Sequence, residues 1–153
     1  MQGISYLKKL PYVDTTRIGI HGWSYGGFLT IDLMLKHPDV FKVGVAGGPV
    51  CDWKYYEIMY GERYMSTPED NPDGYKNSSL LNRIQNLKGK LLVIQGDNDH
   101  TVVWQHSLML LKKAIQKDVL LDYFVYPGHE HNVIGIDRAH MMRKIETYFK
   151  DFL

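Results

Sequence analysis

A chain of 153 residues, 44% of them apolar, is long enough for one packed core and short for two domains. Eighteen basic against seventeen acidic residues leave a formal charge of +1, which removes any electrostatic reason to invoke nucleic acid or an anionic membrane as a partner. Cys51 is the one cysteine, so no disulfide closes within the chain, and no signal peptide or membrane-spanning apolar run is visible.

Ile4, Leu7 and Leu10 share a helical face and predict a helix over 4–10 that Pro11 stops. A strand is expected over 17–21 and a helix, apolar on nearly all sides, over 28–36. Between them runs His21-Gly22-Trp23-Ser24-Tyr25-Gly26-Gly27, in which Gly22, Ser24 and Gly26 satisfy G-x-S-x-G. Strand gives way to helix so abruptly that side chains two positions either side of the serine are expected to find no room. The Ser24 hydroxyl should then stand above a helix start. Free N–H groups and the helix dipole favour an oxyanion there, with the Tyr25 N–H as first donor.

A second short strand is predicted over 41–46, broken by Gly47-Gly48-Pro49. The following stretch sets Trp53, Tyr55, Tyr56, Tyr60 and Tyr64 among charged residues. If it is helical, Tyr56 and Tyr60 share a face and wall a pocket with Trp53; equally, each ring could be core packing with its polar tip in water. Residues 65–79 are rich in Pro, Asp, Asn and Gly and predict a surface excursion. The run 90–95 has the near-continuous apolar character of a buried parallel strand and is closed by Gly96-Asp97-Asn98-Asp99. A helix over 104–116 should turn Leu108, Leu111 and Ile115 inward, and a strand over 120–126 precedes His129-Glu130-His131. The last helix, from about Asp137 as N-cap, carries Ala139, Met142, Ile145, Phe149 and Phe152 at helical spacing.

Alternating strands and helices predict an α/β fold, a mostly parallel sheet covered on both faces, with Ser24, an aspartate and a histidine each just past a strand end. A serine hydroxyl needs a base within reach and an acid to orient that base, and serine, acid, histidine is the chain order of an α/β-hydrolase. For the acid, Asp97 and Asp99 compete; Asp97 directly follows the glycine and could cap the turn instead, and the preference for Asp99 rests in part on the resemblance described below. For the base, His129 and His131 stay level on residue physics alone. A metal site built from His100, His129, His131 and the two aspartates is the rival chemistry, but it leaves the glycines around Ser24 unexplained.

The run 22–27, the stretch 53–64 with Tyr60-Gly61-Glu62-Arg63-Tyr64, the turn 96–99 and the Glu130-His131 loop together resemble the catalytic domain of the prolyl oligopeptidase family, in particular its dipeptidyl peptidase IV branch with bacterial members. The resemblance covers essentially the whole chain. It implies a serine peptidase releasing Xaa-Pro dipeptides, without cofactor or metal, in which Ser24 is the nucleophile, Asp99 the acid and His131 the base. It also implies that Tyr25, Val50, Trp53, Tyr56, Tyr60 and Val102 line the pocket for the proline ring of a peptide substrate, a ring that is compact, apolar and fixed in φ. The same resemblance expects a preceding β-propeller with an acidic pair for the substrate amino terminus, a second oxyanion donor from an earlier tyrosine, and earlier strands of the sheet; none lies in these residues. Residues 1–153 are accordingly expected to be the C-terminal part of a catalytic domain, with an open sheet edge that could join copies into a homo-oligomer. For a bacterial parent protein, a periplasmic or cell-envelope location is expected.

Overall fold

The computed structural model describes residues 1–153. Four strands, β1 (Gly19–Trp23), β2 (Val43–Gly47), β3 (Lys90–Gly96) and β4 (Asp122–Tyr126), pair in parallel in the order β1-β2-β3-β4. The two central strands are apolar on both sides because both are covered: β2 is buried throughout and β3 everywhere except Lys90. Val43, Val45, Leu92 and Ile94 pack with Tyr126 against Met141, Ile145 and Tyr148 of α6 (Gly135–Phe152). Ala46, Leu91 and Val93 belong to the opposite core with Ile31, Met34 and Leu35 of α2 (Tyr25–Lys36) and with Leu110 and Ala114 of α5 (Gln105–Gln116). Parallel register brings the carboxyl ends of β1, β2 and β3 to one rim, where Trp23 lies opposite Gly47 and Gly47 opposite Ile94.

The first helix, α1 (Gln2–Leu7), buries no residue and ends well before Pro11. Two helical faces differ from the expected ones. In α5 the inward residues are His106, Ser107, Leu110 and Ala114, while Leu108 and Ile115 are exposed. Specific polar partners bury His106 and Ser107 and thereby turn the helix away from its most apolar stripe. In α6 the buried residues are Met141, Ile145 and Tyr148; Ala139 and Met142 face solvent, and the N-cap is Ile134 rather than Asp137. Asp137 sits in the first turn with a different partner.

Between β2 and β3 the chain forms a 3₁₀ turn at Trp53–Tyr55, then α3 (Ile58–Met65) and α4 (Pro72–Ser78). The predicted surface excursion is thus partly tied to the core: Asn71 caps α4 through Gly74 N–H, and Tyr75 is buried with its hydroxyl donating to the Ser66 carbonyl at 2.8 Å. No helix is long and apolar enough to cross a membrane.

Candidate functional site

Ser24 is the single residue between β1 and α2, and it carries the strain of that junction: φ is 59° and ψ −118°, a left-handed conformation that a residue with a Cβ rarely adopts. Its N–H donates to the Gly47 carbonyl at 2.8 Å, which fixes the turn to the end of β2. A Cβ on Gly22 would stand 2.2 Å from the Gly26 carbonyl oxygen, and one on Gly27 would stand 2.6 Å from the Gly47 carbonyl oxygen. Gly26 differs from the expectation for it. Nothing lies within 4 Å of its missing side chain, so steric exclusion accounts for the glycine before the serine and not for the one after it.

The Asp99 carboxylate is buried and receives His131 Nδ1 at 2.7 Å. Because an ionised carboxylate only accepts, Nδ1 carries the proton of a neutral ring and Nε2 is left with its lone pair. The pair lies over Gly48, where a Cβ would meet His131 Cε1 at 3.1 Å and Asp99 Oδ2 at 3.6 Å. Gly48 directly follows the residue that holds Ser24. A second tie runs from the Trp23 indole, whose Nε1–H donates to the His131 carbonyl at 2.9 Å. No hydrogen bond joins the Ser24 hydroxyl to the imidazole; both residues are tied to the end of β2 and its neighbour β1, Ser24 through the Gly47 carbonyl and His131 over Gly48 and through the Trp23 indole.

Asp97 and His129, the competing acid and base, have other partners. Exposed Asp97 accepts the Gly128 N–H at 2.6 Å, and His129 Nε2 meets Asp137 at 2.8 Å. Both contacts pin the loop that carries His131, one at each end. No three His, Cys, Asp or Glu side chains gather as ligands.

Beside the serine turn a cavity of about 580 Å3 is bordered by Tyr25, Phe28, Trp53, Tyr60, Tyr64 and Met65, among others. Trp53 and Tyr60 stack at 5.9 Å with 15° between their planes, and Tyr25 leans on Trp53 at 5.8 Å. Tyr56 stands behind this wall, edge-on to Trp53 and Tyr60 at 5.6 and 5.5 Å; it lies in extended backbone before α3 begins, so the contact is tertiary and not a shared helical face. Val50 and Val102 are buried in the core and do not border the cavity. Phe28 and Tyr64 were not anticipated as its lining. Tyr64 could have been found, one helical turn beyond Tyr60, with the two rings 5.2 Å apart.

His106 supports this wall from behind. Its Nδ1 accepts the Cys51 N–H at 3.2 Å, its ring lies edge-on to Tyr56, and its Nε2 has no well-formed hydrogen bond. Burial lowers the His106 pKa from its ordinary value of 6.5, opposed in part by the Tyr55 backbone, Asp52 and Asp99. Below that ordinary value the unfolded chain takes up a proton that the native state resists. The contribution of His106 to stability is therefore complete above 6.5 and is lost as pH falls toward the lowered folded value. The unfolding midpoint should drop between pH 7 and pH 5, and thermal melts of His106→Gln should show a shallower drop.

A parallel sheet with helices on both faces and a strained serine between its edge strand and the next helix defines an α/β-hydrolase. The family model described as "Prolyl oligopeptidase family" matches residues 1–153. The chain belongs to the prolyl oligopeptidase family. It is similar over 99% of its length to the crystal structure of a protein described as a dipeptidyl aminopeptidase IV from Bacteroides ovatus, with 56% identity and a TM-score of 0.98, and covers 22% of that chain. Porphyromonas gingivalis dipeptidyl peptidase 4 superposes with a TM-score of 0.94 at 36% identity over 98% of the chain, again 22% of the relative. Dipeptidyl peptidase 4 of Bos taurus is 38% identical over 95% of the chain and 19% of its own length. The chain thus spans about a fifth of these relatives.

Proposed function

We propose that the chain carries the hydrolytic centre of a serine dipeptidyl peptidase, with Ser24 as nucleophile, His131 as base and Asp99 as the acid that orients it. The observation that supports this best is the Asp99–His131 pair at 2.7 Å, lying over the glycine that follows the anchor of Ser24. In this reading Ser24 Oγ attacks the scissile carbonyl carbon while His131 Nε2 takes its proton, and the carbonyl electron pair moves to the oxygen. That oxyanion forms beside the Tyr25 N–H at the first turn of α2. Collapse breaks the C–N bond, His131 returns the proton to the leaving amine, and water repeats the sequence on the acyl-serine. Serine–histidine contacts are often loose until substrate seats, so the missing hydrogen bond does not count against the pairing.

The substrate class is a peptide with proline next to its amino-terminal residue, released as an Xaa-Pro dipeptide. Support comes from the apolar aromatic wall and from relatives named as dipeptidyl peptidases. A general esterase or acylaminoacyl peptidase is the alternative on the same fold. Turnover of Ala-Pro and acetyl-Ala chromogenic esters or anilides separates the two: preference for acetyl-Ala would sink the dipeptidyl assignment. Tyr60 is more than one-third exposed, at 38%, so Tyr60→Ala should fold normally and lower kcat/KM for Ala-Pro on the order of tenfold, with a smaller effect on acetyl-Ala. A further alternative is a silent chain that self-associates through β1, which has one strand neighbour. Sedimentation as a monomer with good turnover would reject it.

A further inference from the structure

Gln95 lies one residue from the end of β3 on the side facing α5, with no exposed surface. A primary amide at a fully buried sheet position is unfavourable unless each polar atom finds a partner. Here each does. Nε2 donates to Asp99 Oδ2 at 2.8 Å and to the Val102 carbonyl at 3.0 Å, and Oε1 accepts from the buried Ser107 hydroxyl at 2.9 Å. The orientation of the amide is forced, because an ionised carboxylate and a carbonyl can only accept, so the nitrogen must face both.

Seen from Asp99, the arrangement is equally complete. Oδ1 accepts the N–H groups of Thr101 and Val102 at 2.9 and 2.8 Å; Oδ2 accepts Gln95 and His131 at 2.8 and 2.7 Å. The turn fixes Oδ1. Apart from His131 itself, Gln95 alone bonds to Oδ2, the oxygen the imidazole uses. A methionine of similar length would fill the same space in the core, so packing alone does not call for an amide here.

We infer that Gln95, braced by Ser107, is a positioning residue that aims Asp99 Oδ2 at His131 and so keeps the imidazole proton on Nδ1 and Nε2 open toward Ser24. This rests on the triad reading above. Gln95 touches no reacting atom; it acts through Asp99.

The test is imidazole 15N NMR on the 153-residue chain, with the His131 signals assigned by their loss in His131→Ala. Wild type should show His131 as the Nδ1–H tautomer when neutral. Gln95→Met should bring in a readily measured share of the Nε2–H tautomer, and Ser107→Ala a smaller share in the same direction. Ser107→Ala leaves the amide in place and removes only its brace, so it decides the matter should Gln95→Met fail to fold. His131 signals unchanged from wild type in the folded variants overturn the proposal. A companion readout is the rate at which a fluorophosphonate labels Ser24, expected to fall about tenfold in Gln95→Met. If Ser24→Ala and Asp99→Asn abolish labelling while Gln95→Met and Ser107→Ala label at the wild-type rate, the Gln95 inference is overturned and the triad stands. If wild type labels at a residue other than Ser24, the triad reading fails, and the His131 tautomer still decides whether Gln95 orients the pair.

Discussion

Replacing Ser24 by alanine is expected to abolish fluorophosphonate labelling and to lower peptide turnover on the order of 10⁶-fold, the size of loss seen when a triad nucleophile is removed. Ser24→Gly should be as inactive and, in addition, more stable. The reason lies in the backbone: at φ 59° and ψ −118° the Cβ of residue 24 is held in a conformation that costs about 1–3 kcal/mol for a non-glycine residue. Glycine removes that strain and returns about 0.5–1 kcal/mol of it as extra freedom in the unfolded chain. A net gain of about 1 kcal/mol remains, worth roughly 2–4 °C in a domain of this size. Alanine keeps the Cβ and hence the strain, so its midpoint should match wild type. Thermal melts of the three proteins decide this. A glycine variant no more stable than the alanine variant would mean that the serine turn stores no strain to be released.

The legible parts of the molecule were those that local pattern controls. The apolar run of β3 announces a strand covered on both faces, and G-x-S-x-G between an alternating strand and an apolar helix announces the turn at Ser24. What stayed hidden depends on partners distant in sequence. His106 and Ser107 look like surface residues of α5, and they face inward because Cys51, 55 residues earlier, and Gln95 supply hydrogen bonds. Local pattern likewise leaves His129 and His131 level and separates Asp97 from Asp99 only weakly, so that the expectation of Asp99 and His131 rests on the family resemblance. Each pair shares one loop, and only the fold assigns Asp97 to Gly128, His129 to Asp137, and Asp99 to His131 over Gly48. Gly26 shows the opposite limit, since matching a motif does not prove that every glycine in it meets a steric wall. Asp137 likewise had the composition of an N-cap, but the chain enters α6 earlier, through Ile134 and a left-handed Gly135.

Gly47→Ala is expected to damage stability and site geometry together. The added Cβ would lie 1.8 Å from Trp23 Cε3, far inside any contact distance. Gly47 has no positive φ, so the objection is purely steric. Two responses are open to the structure. The Trp23 ring can swing away, which breaks its 2.9 Å bond to the His131 carbonyl and releases the histidine loop. Alternatively β2 can yield, which draws the Gly47 carbonyl off the Ser24 N–H. Either way one member of the site moves relative to the other. Overpacking of this kind costs about 1–3 kcal/mol and the lost hydrogen bond about 1 more, so a destabilisation of about 2–4 kcal/mol is expected. A displacement near 1 Å at the reacting groups costs on the order of 10²-fold in rate, and labelling of Ser24 should fall by that much. Trp23→Ala in the same background removes the obstructing ring. The double variant should therefore be more stable than the sum of the two single changes predicts, with a coupling of about 1–3 kcal/mol in a denaturant cycle. A Gly47→Ala protein that melts and labels like wild type would show that Trp23 can yield without moving His131, and the indole would then have no part in holding the histidine over the end of β2.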